Sequence, residues 1–331
     1  MISSRRITLK TFPQGLPQDS DFEVVDVNLD EPDKGQLLIQ VTHLSIDAFI
    51  RTTLGSGGLH SQANIGDPVT ALGVGKVVAS GSDDFQEGDW VSGPTLAQSH
   101  ALMPAAAFQK IDPGNESPAK FLGIFGMTTG LTAFAGMAKL GQVKHGDTVV
   151  VSAAAGAVGS VACQIAKHLG GTVIGIAGGA TKTQYLLEDI GCDQAIDYKG
   201  EDVAARLDAL APQGIDVFFD NVGGDMLDHV LKRIAPGARV VLCGAISQYD
   251  DLSDVTGPSE YLKIAERNAQ MLGFTVDHYA ADFPEFIAQL QMWSEAGLHL
   301  REHMESGLEK FPQALRTMFT GGHMGKLLIE L

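Results

Sequence analysis

The sequence predicts an α/β protein in which a β-rich domain precedes a doubly wound parallel sheet. Strand-like runs with interior glycines, which suit bulges and barrel corners, occupy the first hundred residues. After about residue 118, six short runs rich in Val and Ile alternate with helical segments, as strands buried on both faces of a parallel sheet do. The 331 residues exceed twice the commonest domain size, so two domains are expected.

The composition narrows the class of protein. Hydrophobic residues make up 44% and charged residues 19%, which provides enough apolar material for large cores. A net charge of −17 would repel phosphate backbones and anionic lipids, so neither nucleic-acid nor membrane-surface binding is expected. No run approaches the ~20 apolar residues of a membrane span, and no apolar signal segment follows Arg5 and Arg6. Three widely separated cysteines favour a reducing compartment, so we expect a cytoplasmic protein.

The elements are predicted from apolar runs and the turns between them. In the first domain, strands are expected over 37–43, 67–79 and 88–94, followed by a helical stretch over 119–140. The buried strands of the second domain are expected over 148–152, 172–176, 194–198, 216–220, 238–243 and 271–276. The last run, 325–331, is again strand-like and is expected to return to the first domain.

A glycine-rich turn between the first of these six strands and its helix predicts a dinucleotide site. The turn reads Ala-x-x-Gly-x-x-Gly, with Ala153, Gly156 and Gly159 at the fixed positions. Gly156 lets the backbone approach a pyrophosphate, and Gly159 lets helix and strand pack closely. The helix predicted over 160–169 ends at Gly170, and its free amides and dipole favour an anion.

The end of the second strand distinguishes between the two nicotinamide cofactors. NAD sites place an acidic residue there, which binds the ribose 2′-hydroxyl. This chain has no acid after that strand, and the first charged residue is Lys182. A cation without a carboxylate suits a 2′-phosphate, so NADPH is favoured over NADH, although Lys182 could also simply be a solvated residue at a helix start.

Zinc chemistry is not expected from this sequence. Catalytic zinc needs three grouped ligands, whereas all three cysteines lie in the second domain without close spacing. His43, His60 and His100 are scattered and belong to no metal-binding motif. The reaction is therefore expected to proceed by hydride transfer and protonation alone.

Seven segments carry a family resemblance: 44–51, 130–134, 153–159, 219–224, 243–249, 273–276 and 324–326. They resemble the zinc-independent medium-chain reductases that saturate activated alkenes, the group of prostaglandin, leukotriene 12-hydroxydehydrogenase, 2-alkenal and curcumin reductases. The resemblance spans nearly the whole chain. Asn-Val-Gly-Gly from Asn221 and Cys-Gly-Ala-Ile-Ser from Cys243, in this order, are specific to this branch.

The resemblance implies a domain plan and a cofactor site. It implies a GroES-like substrate domain over 1–119, a Rossmann NADPH-binding domain over 120–295, a C-terminal return over 296–331, and a homodimer. The cofactor-binding residues that it implies are Met127, Thr128, Ala155, Gly156, Ala157, Val158, Gly159, Lys182, Tyr198, Asn221, Cys243, Gly244, Ala245, Ile246, Ser247, Tyr249, Phe274, Thr275, Val276 and His323.

Three departures from the family pattern bear on the substrate more than on the cofactor. The family usually has Pro-Tyr where this chain has Ala48 and Phe49, so a tyrosine hydroxyl proposed to meet the substrate is absent. Phe49 and Arg51 are assigned to the substrate pocket. His323 replaces a common asparagine, and the stretch 250–260, which usually carries Asn and prolines, is acidic here.

The main functional hypothesis is an NADPH-dependent reductase of the C=C bond in α,β-unsaturated ketones and aldehydes. Hydride addition to the β-carbon leaves an enolate, whose oxygen needs a hydroxyl donor. Tyr249 is the first candidate for this donor and Tyr261 the second, while Tyr249 could equally serve only to pack over the cofactor. The alternatives are a quinone reductase of the same superfamily and a non-enzymatic NADPH-binding protein that uses its acidic 250–260 loop as a contact surface.

Overall fold

The computed structural model describes residues 1–55 and 60–331. Its strands are β1 (Ile2–Leu9), β2 (Phe22–Leu29), β3 (Gln36–Ser45), β4 (Gly73–Ser80), β5 (Trp90–Gly93), β6 (His100–Pro104), β7 (Gln109–Ile111), β8 (Thr148–Val151), β9 (Thr172–Ala177), β10 (Gln194–Asp197), β11 (Ile215–Asp220), β12 (Ile234–Leu242), β13 (Gln270–Gly273), β14 (Glu302–Ser306) and β15 (Lys326–Glu330). Its α-helices are α1 (Phe49–Thr53), α2 (Thr132–Phe134), α3 (Ala157–His168), α4 (Ala180–Glu188), α5 (Val203–Leu210), α6 (Gly224–Leu231), α7 (Leu262–Glu266), α8 (Phe283–Glu295) and α9 (Phe311–Thr320). None of the helices in these ranges is long and apolar enough to cross a membrane.

The second half of the chain forms the predicted doubly wound sheet. Its strand order is β10-β9-β8-β11-β12-β13, and the pairings within it are parallel. Alternate residues of β8 face opposite sides: Val149 and Val151 join the apolar core beside α3, and Val150 joins the one beside α5 and α6. The winding direction reverses between β8 and β11, which opens a crevice at their carboxyl ends.

The first half of the chain forms a mostly antiparallel sheet, into which the last strand of the chain is built. The order is β14-β15-β3-β4-β5-β7, and β6 also pairs with β3. Strand β15 pairs with residues 43–45 of β3, so the C-terminal run lies in this sheet. Strands β1 and β2 form a separate antiparallel pair. The exact domain boundaries at residues 119/120 and 295/296 remain a prediction.

Several predicted boundaries differ from the structure, and two of them have a clear physical reason. The strand expected over 67–79 begins only at Gly73, because Pro68 lacks an N–H group and residues 67–69 make isolated contacts with β1 instead. The helix expected over 119–140 is a 3₁₀ turn (Pro118–Phe121), a tight bend, and then a helix from Met127 to Leu140 that contains π-helical turns on both sides of α2. A Cβ on Gly126 would lie 2.5 Å from the Leu122 carbonyl carbon, so this bend needs glycine.

Candidate active site

A buried carboxylate organises the crevice between β8 and β11. Asp220, the last residue of β11, is fully buried and accepts hydrogen bonds from Ser152 Oγ (2.8 Å) and from the amides of Val222 (2.9 Å) and Gly223 (3.1 Å). Burial raises the pKa of Asp220, and these donors oppose the rise. The sequence reasoning missed Asp220 as a site residue. In the sequence, Asp220 is recognisable only as an acidic residue at the end of a buried strand, shortly before a turn that contains glycines.

The predicted cofactor residue Asn221 connects the two strand ends. Its side-chain amide donates to the Ser152 carbonyl (2.7 Å), and its backbone N–H donates to Ser152 Oγ (2.8 Å). The carbonyl of Asn221 accepts from Ile246 N–H (3.1 Å), and Cys243 N–H donates to the Asp220 carbonyl (2.8 Å). The predicted loop 243–249 is therefore anchored on the same edge of the sheet.

The glycine-rich turn has the geometry of an anion site. Ala153 takes a left-handed backbone conformation with φ +47°, and Gly156 precedes α3 in an extended conformation. A Cβ on Gly159 would lie 2.4 Å from the Ala153 carbonyl oxygen, so only glycine permits this packing. Helix α3 begins at Ala157, three residues before the predicted start, so the amides of Ala157, Val158 and Gly159 lie in its first turn.

The other end of the predicted cofactor site gathers positive charge. Lys182 lies in the first turn of α4, and its Nζ is 3.7 Å from the position a Cβ would take on Gly321. Burial, and then the charge of Lys199, lower the pKa of Lys182. The half-exposed Tyr198 follows β10 and contacts the backbone beside Gly178.

A carboxylate, that of Asp197, does lie close to this end of the crevice, but backbone N–H groups already donate hydrogen bonds to it. Asp197 Oδ1 accepts from the amides of Gly179 (2.6 Å) and Lys199 (3.0 Å), and these bonds lower the pKa of Asp197. The carboxylate shapes the turn after β9. The sequence reasoning did not identify this role.

Tyr249 and Cys243 define the opposite, apolar end of the crevice. Tyr249 is 9% exposed, and its hydroxyl accepts a hydrogen bond from Ala245 N–H (3.2 Å). Burial, together with Cys243 and Asp220, raises the pKa of Tyr249, so the phenol keeps its proton at neutral pH. Burial, and then Asp220, raise the pKa of Cys243 to about 12, so this residue is an unreactive thiol.

The remaining residues predicted for this end belong to two neighbouring segments. Met127 is 37% exposed, and Thr128 follows it in the first π-helical turn. Phe274 packs edge-on against Tyr279 at 6.3 Å, and Thr275 precedes the 3₁₀ helix that starts at Val276.

The first domain supplies the wall facing this loop. Phe49 packs against the His60 ring at 5.1 Å, and Thr52 Oγ1 lies 2.7 Å from His60 Nδ1. Arg51 is 5% exposed, and its guanidinium donates to the carbonyls of Gly15 (3.1 Å) and Asp250 (2.6 Å). The structure therefore places Arg51 as a bridge from α1 to the loop after Tyr249, with two of its five N–H donors engaged.

Tyr261 and His323 lie apart from Tyr249. Tyr261 is 60% exposed at the start of α7, and its neighbours Ser259 and Glu260 donate to Asp228 of α6. His323 lies between α9 and β15, beside Lys182 at the positive end of the crevice. The structure brings His323 to the predicted cofactor residue Lys182, whereas it leaves the Tyr261 side chain exposed to solvent.

The turn before β15 connects the glycine-rich turn to the first domain. Gly325 N–H donates to the Ala155 carbonyl (2.8 Å). The next residue, Lys326, is fully buried and pairs with Asp47 (Nζ to Oδ1, 2.6 Å) just before α1. Within residues 1–55 and 60–331, no three His, Cys, Asp or Glu side chains are grouped as a metal ion would require.

A dinucleotide-type crevice beside a β-rich domain, with a buried phenol at one end and lysines at the other, defines a two-domain, nucleotide-dependent oxidoreductase. Residues 5–111 match the family model of the N-terminal domain of oxidoreductases, and residues 157–292 match that of zinc-binding dehydrogenases.

Individual relatives agree with these models along the whole chain. The chain is 35% identical to a 2-alkenal reductase of Nicotiana tabacum (99% of this chain, 97% of the relative) and 32% identical to an NADPH-dependent curcumin reductase of Escherichia coli (99% and 97%). It superposes on a crystal structure of CurA from Vibrio vulnificus in complex with NADPH with a TM-score of 0.92, at 35% identity and 98% coverage of both chains. The chain belongs to the zinc-independent medium-chain dehydrogenase/reductase family.

Proposed function

We propose that this protein catalyses NADPH-dependent reduction of the C=C bond of α,β-unsaturated ketones and aldehydes. The observation that carries the proposal is full-length similarity to 2-alkenal and curcumin reductases, combined with a buried phenol at the end of the crevice opposite Lys182. The relative solved with NADPH supports the same cofactor here.

The residues of the crevice fit NADPH. The space beside Gly156 is open except for the Ala153 carbonyl, and the first amides of α3 are placed to receive the pyrophosphate. Lys182 would bind the 2′-phosphate, with Tyr198 beside the adenosine. Asn221, the loop 243–249 and Phe274 to Val276 would hold the ribose and nicotinamide. When bound, NADPH supplies the hydride that reaches the β-carbon of the substrate.

We infer that Tyr249 stabilises the charge that then develops on the substrate oxygen. Its hydroxyl accepts from Ala245 N–H, which leaves its own proton free to be donated. A phenol fixed by the protein costs little reorganisation when the enolate oxygen forms. Phe49 has no hydroxyl where the family pattern has a tyrosine, which leaves Tyr249 as the proposed hydroxyl donor.

The test follows loss of NADPH with three substrates in parallel: a simple enone, a 2-alkenal and a benzoquinone, each repeated with NADH. Turnover of the enone or alkenal with NADPH, and much less with NADH, is the expected result. Turnover of the quinone alone would assign the chain to the quinone reductases. NADPH binding without turnover of any substrate would favour a non-enzymatic role.

We further propose a homodimer that works in the cytoplasm. Strand β13 ends the parallel sheet and, among the described residues, pairs only with β12, which leaves its outer edge for a second copy. Val255, Tyr261 and Leu262, in the segment before this strand, are 56%, 60% and 65% exposed. Light scattering should give about twice the 35.0 kDa chain mass, and Leu262→Glu should shift it towards the monomer. Cell fractionation tests the compartment.

A further inference from the structure

His323 lies in a turn that folds back on the end of α9. Gly321 has φ +76°, and the amides of Gly321 and Gly322 both donate to the Thr317 carbonyl (3.1 and 3.3 Å). The Thr317 carbonyl also acts on the imidazole of His323, where it opposes the fall in the pKa of the ring. Its Nδ1 is buried, and among the described residues it has no hydrogen-bond partner.

The charged and titratable groups that face this imidazole come from three elements. Lys182 approaches from α4, His303 from β14 and Lys326 from β15. Lys326 is already paired with Asp47, whereas Lys182 has another cation, Lys199, beside it. Burial, and then Lys182, lower the pKa of His323 to about 4, so the ring is neutral at pH 7.

We propose that His323 takes up a proton from solvent when the 2′-phosphate of NADPH binds beside Lys182, so that the preference for NADPH over NADH depends on pH. This inference rests on the proposed NADPH site. A phosphate dianion offsets the charge of Lys182 and accepts a hydrogen bond from a protonated imidazole, which favours the charged ring. The buried Nδ1 is the atom available to receive the proton.

The sign of the pH effect follows from this linkage. The free protein holds His323 neutral down to about pH 4, and the bound protein holds it protonated to a higher pH. The contribution of His323 to NADPH affinity is therefore greatest below the pKa of the bound state and falls as pH rises through it. NADH has no 2′-phosphate, so its affinity gains nothing from His323.

The experiment measures protons taken up on binding, by titration calorimetry in two buffers of different ionisation enthalpy, at several values between about pH 5.5 and 8. NADPH and NADH are compared on the unchanged protein, His323→Asn, His323→Gln and the control His303→Asn. The expected excess uptake with NADPH, relative to either His323 variant, is at least ~0.3 proton near pH 6. The 2′-phosphate itself ionises near pH 6 and is coupled to His323, so the difference between the unchanged protein and the His323 variants reports on this pair of groups.

The affinities give a second readout. The quantity compared is the NADPH affinity of the unchanged protein divided by that of His323→Asn. This ratio should fall at least about fivefold between about pH 5.5 and 8. The His303→Asn variant should behave like the unchanged protein. NADPH binding with equal proton uptake in the unchanged protein and both His323 variants overturns this proposal alone. Loss of the excess uptake in His303→Asn also overturns it. Failure of the unchanged protein to bind NADPH contradicts the proposed function as well.

Discussion

Tyr249 differs from Tyr261 in burial and hydrogen bonding, and this difference favours Tyr249 as the proposed donor to the substrate oxygen. Tyr249 is held by Ala245 N–H beside the edge of the sheet, whereas Tyr261 is 60% exposed near α6. Removing one fixed donor to a developing oxyanion costs ~10²-fold or more in rate. The geometry therefore favours Tyr249, and the catalytic roles of both tyrosines stay predictions.

We expect Tyr249→Phe to lower kcat/KM for an enone by about 100-fold while the Kd for NADPH changes little, since the phenyl ring still packs in the loop. Steady-state kinetics and cofactor fluorescence measure the two quantities. Tyr261→Phe should retain turnover. Full turnover by Tyr249→Phe would leave this residue a packing role only.

Lys182 should determine cofactor choice at the other end of the crevice. Lys182→Ala removes a charge-assisted contact worth ~1.5–3 kcal/mol, so NADPH affinity should fall about 10- to 100-fold while NADH affinity stays nearly constant. The control is Lys167→Ala, because Lys167 lies on α3 and is already paired with Asp193. Equal losses for the two cofactors would show that Lys182 acts on the fold or the pyrophosphate.

At the scale of elements, the turn between β8 and α3 contains strain. Ala153 has φ +47°, a conformation that costs an L-residue ~1–2 kcal/mol. At Gly159 the constraint is steric, because a side chain there would clash with the Ala153 carbonyl oxygen. One turn thus holds an alanine where glycine would be more relaxed and a glycine where alanine would clash.

Replacing Ala153 with glycine should raise the free energy of unfolding by about 0.5–1 kcal/mol, after the larger entropy of glycine in the unfolded chain is counted. Chemical denaturation of the protein without cofactor measures it. The matched control is Ala154→Gly, one residue on, where φ is not positive and the side chain is fully buried, so stability should fall. If Ala153→Gly lost as much stability as the control, the backbone at Ala153 would not be strained.

The sequence predicts the elements whose signal is local. The six parallel strands were found because each is a continuous apolar run, and the glycine-rich turn because its spacing is fixed. Strands β1, β2, β6, β7 and β14 were missed; β1 carries Arg5 and Arg6, and β14 alternates polar and partly buried residues. Asp220 and Asp197 were missed because each carboxylate accepts hydrogen bonds from backbone amides. The sequence does not show which amides the fold will orient towards each carboxylate.

For the whole molecule, the turn 321–326 joins both halves of the chain. Within six residues it places His323 by Lys182, bonds Gly325 to Ala155 and pairs Lys326 with Asp47. The ion pair is buried, so its stability depends on both partners being present. Disruption here should affect the fold and the crevice together.

We expect Lys326→Met alone to destabilise the protein by ~3–5 kcal/mol, because it leaves the Asp47 carboxylate buried without a counter-charge. The double variant Asp47→Asn/Lys326→Met should recover at least half of this loss. Denaturant unfolding of the two single variants and the double variant gives the coupling energy. Additive losses would show that the two charges act independently.

The place of β15 also bears on how the chain is made. This strand fills the edge of β3 next to residues 43–45, some 280 positions earlier in the sequence. During synthesis this edge of β3 therefore stays open until residues 326–330 have left the ribosome, while the parallel sheet can already close. The β-rich half thus completes its pairing after the parallel sheet, so its unpaired edge needs protection for longer.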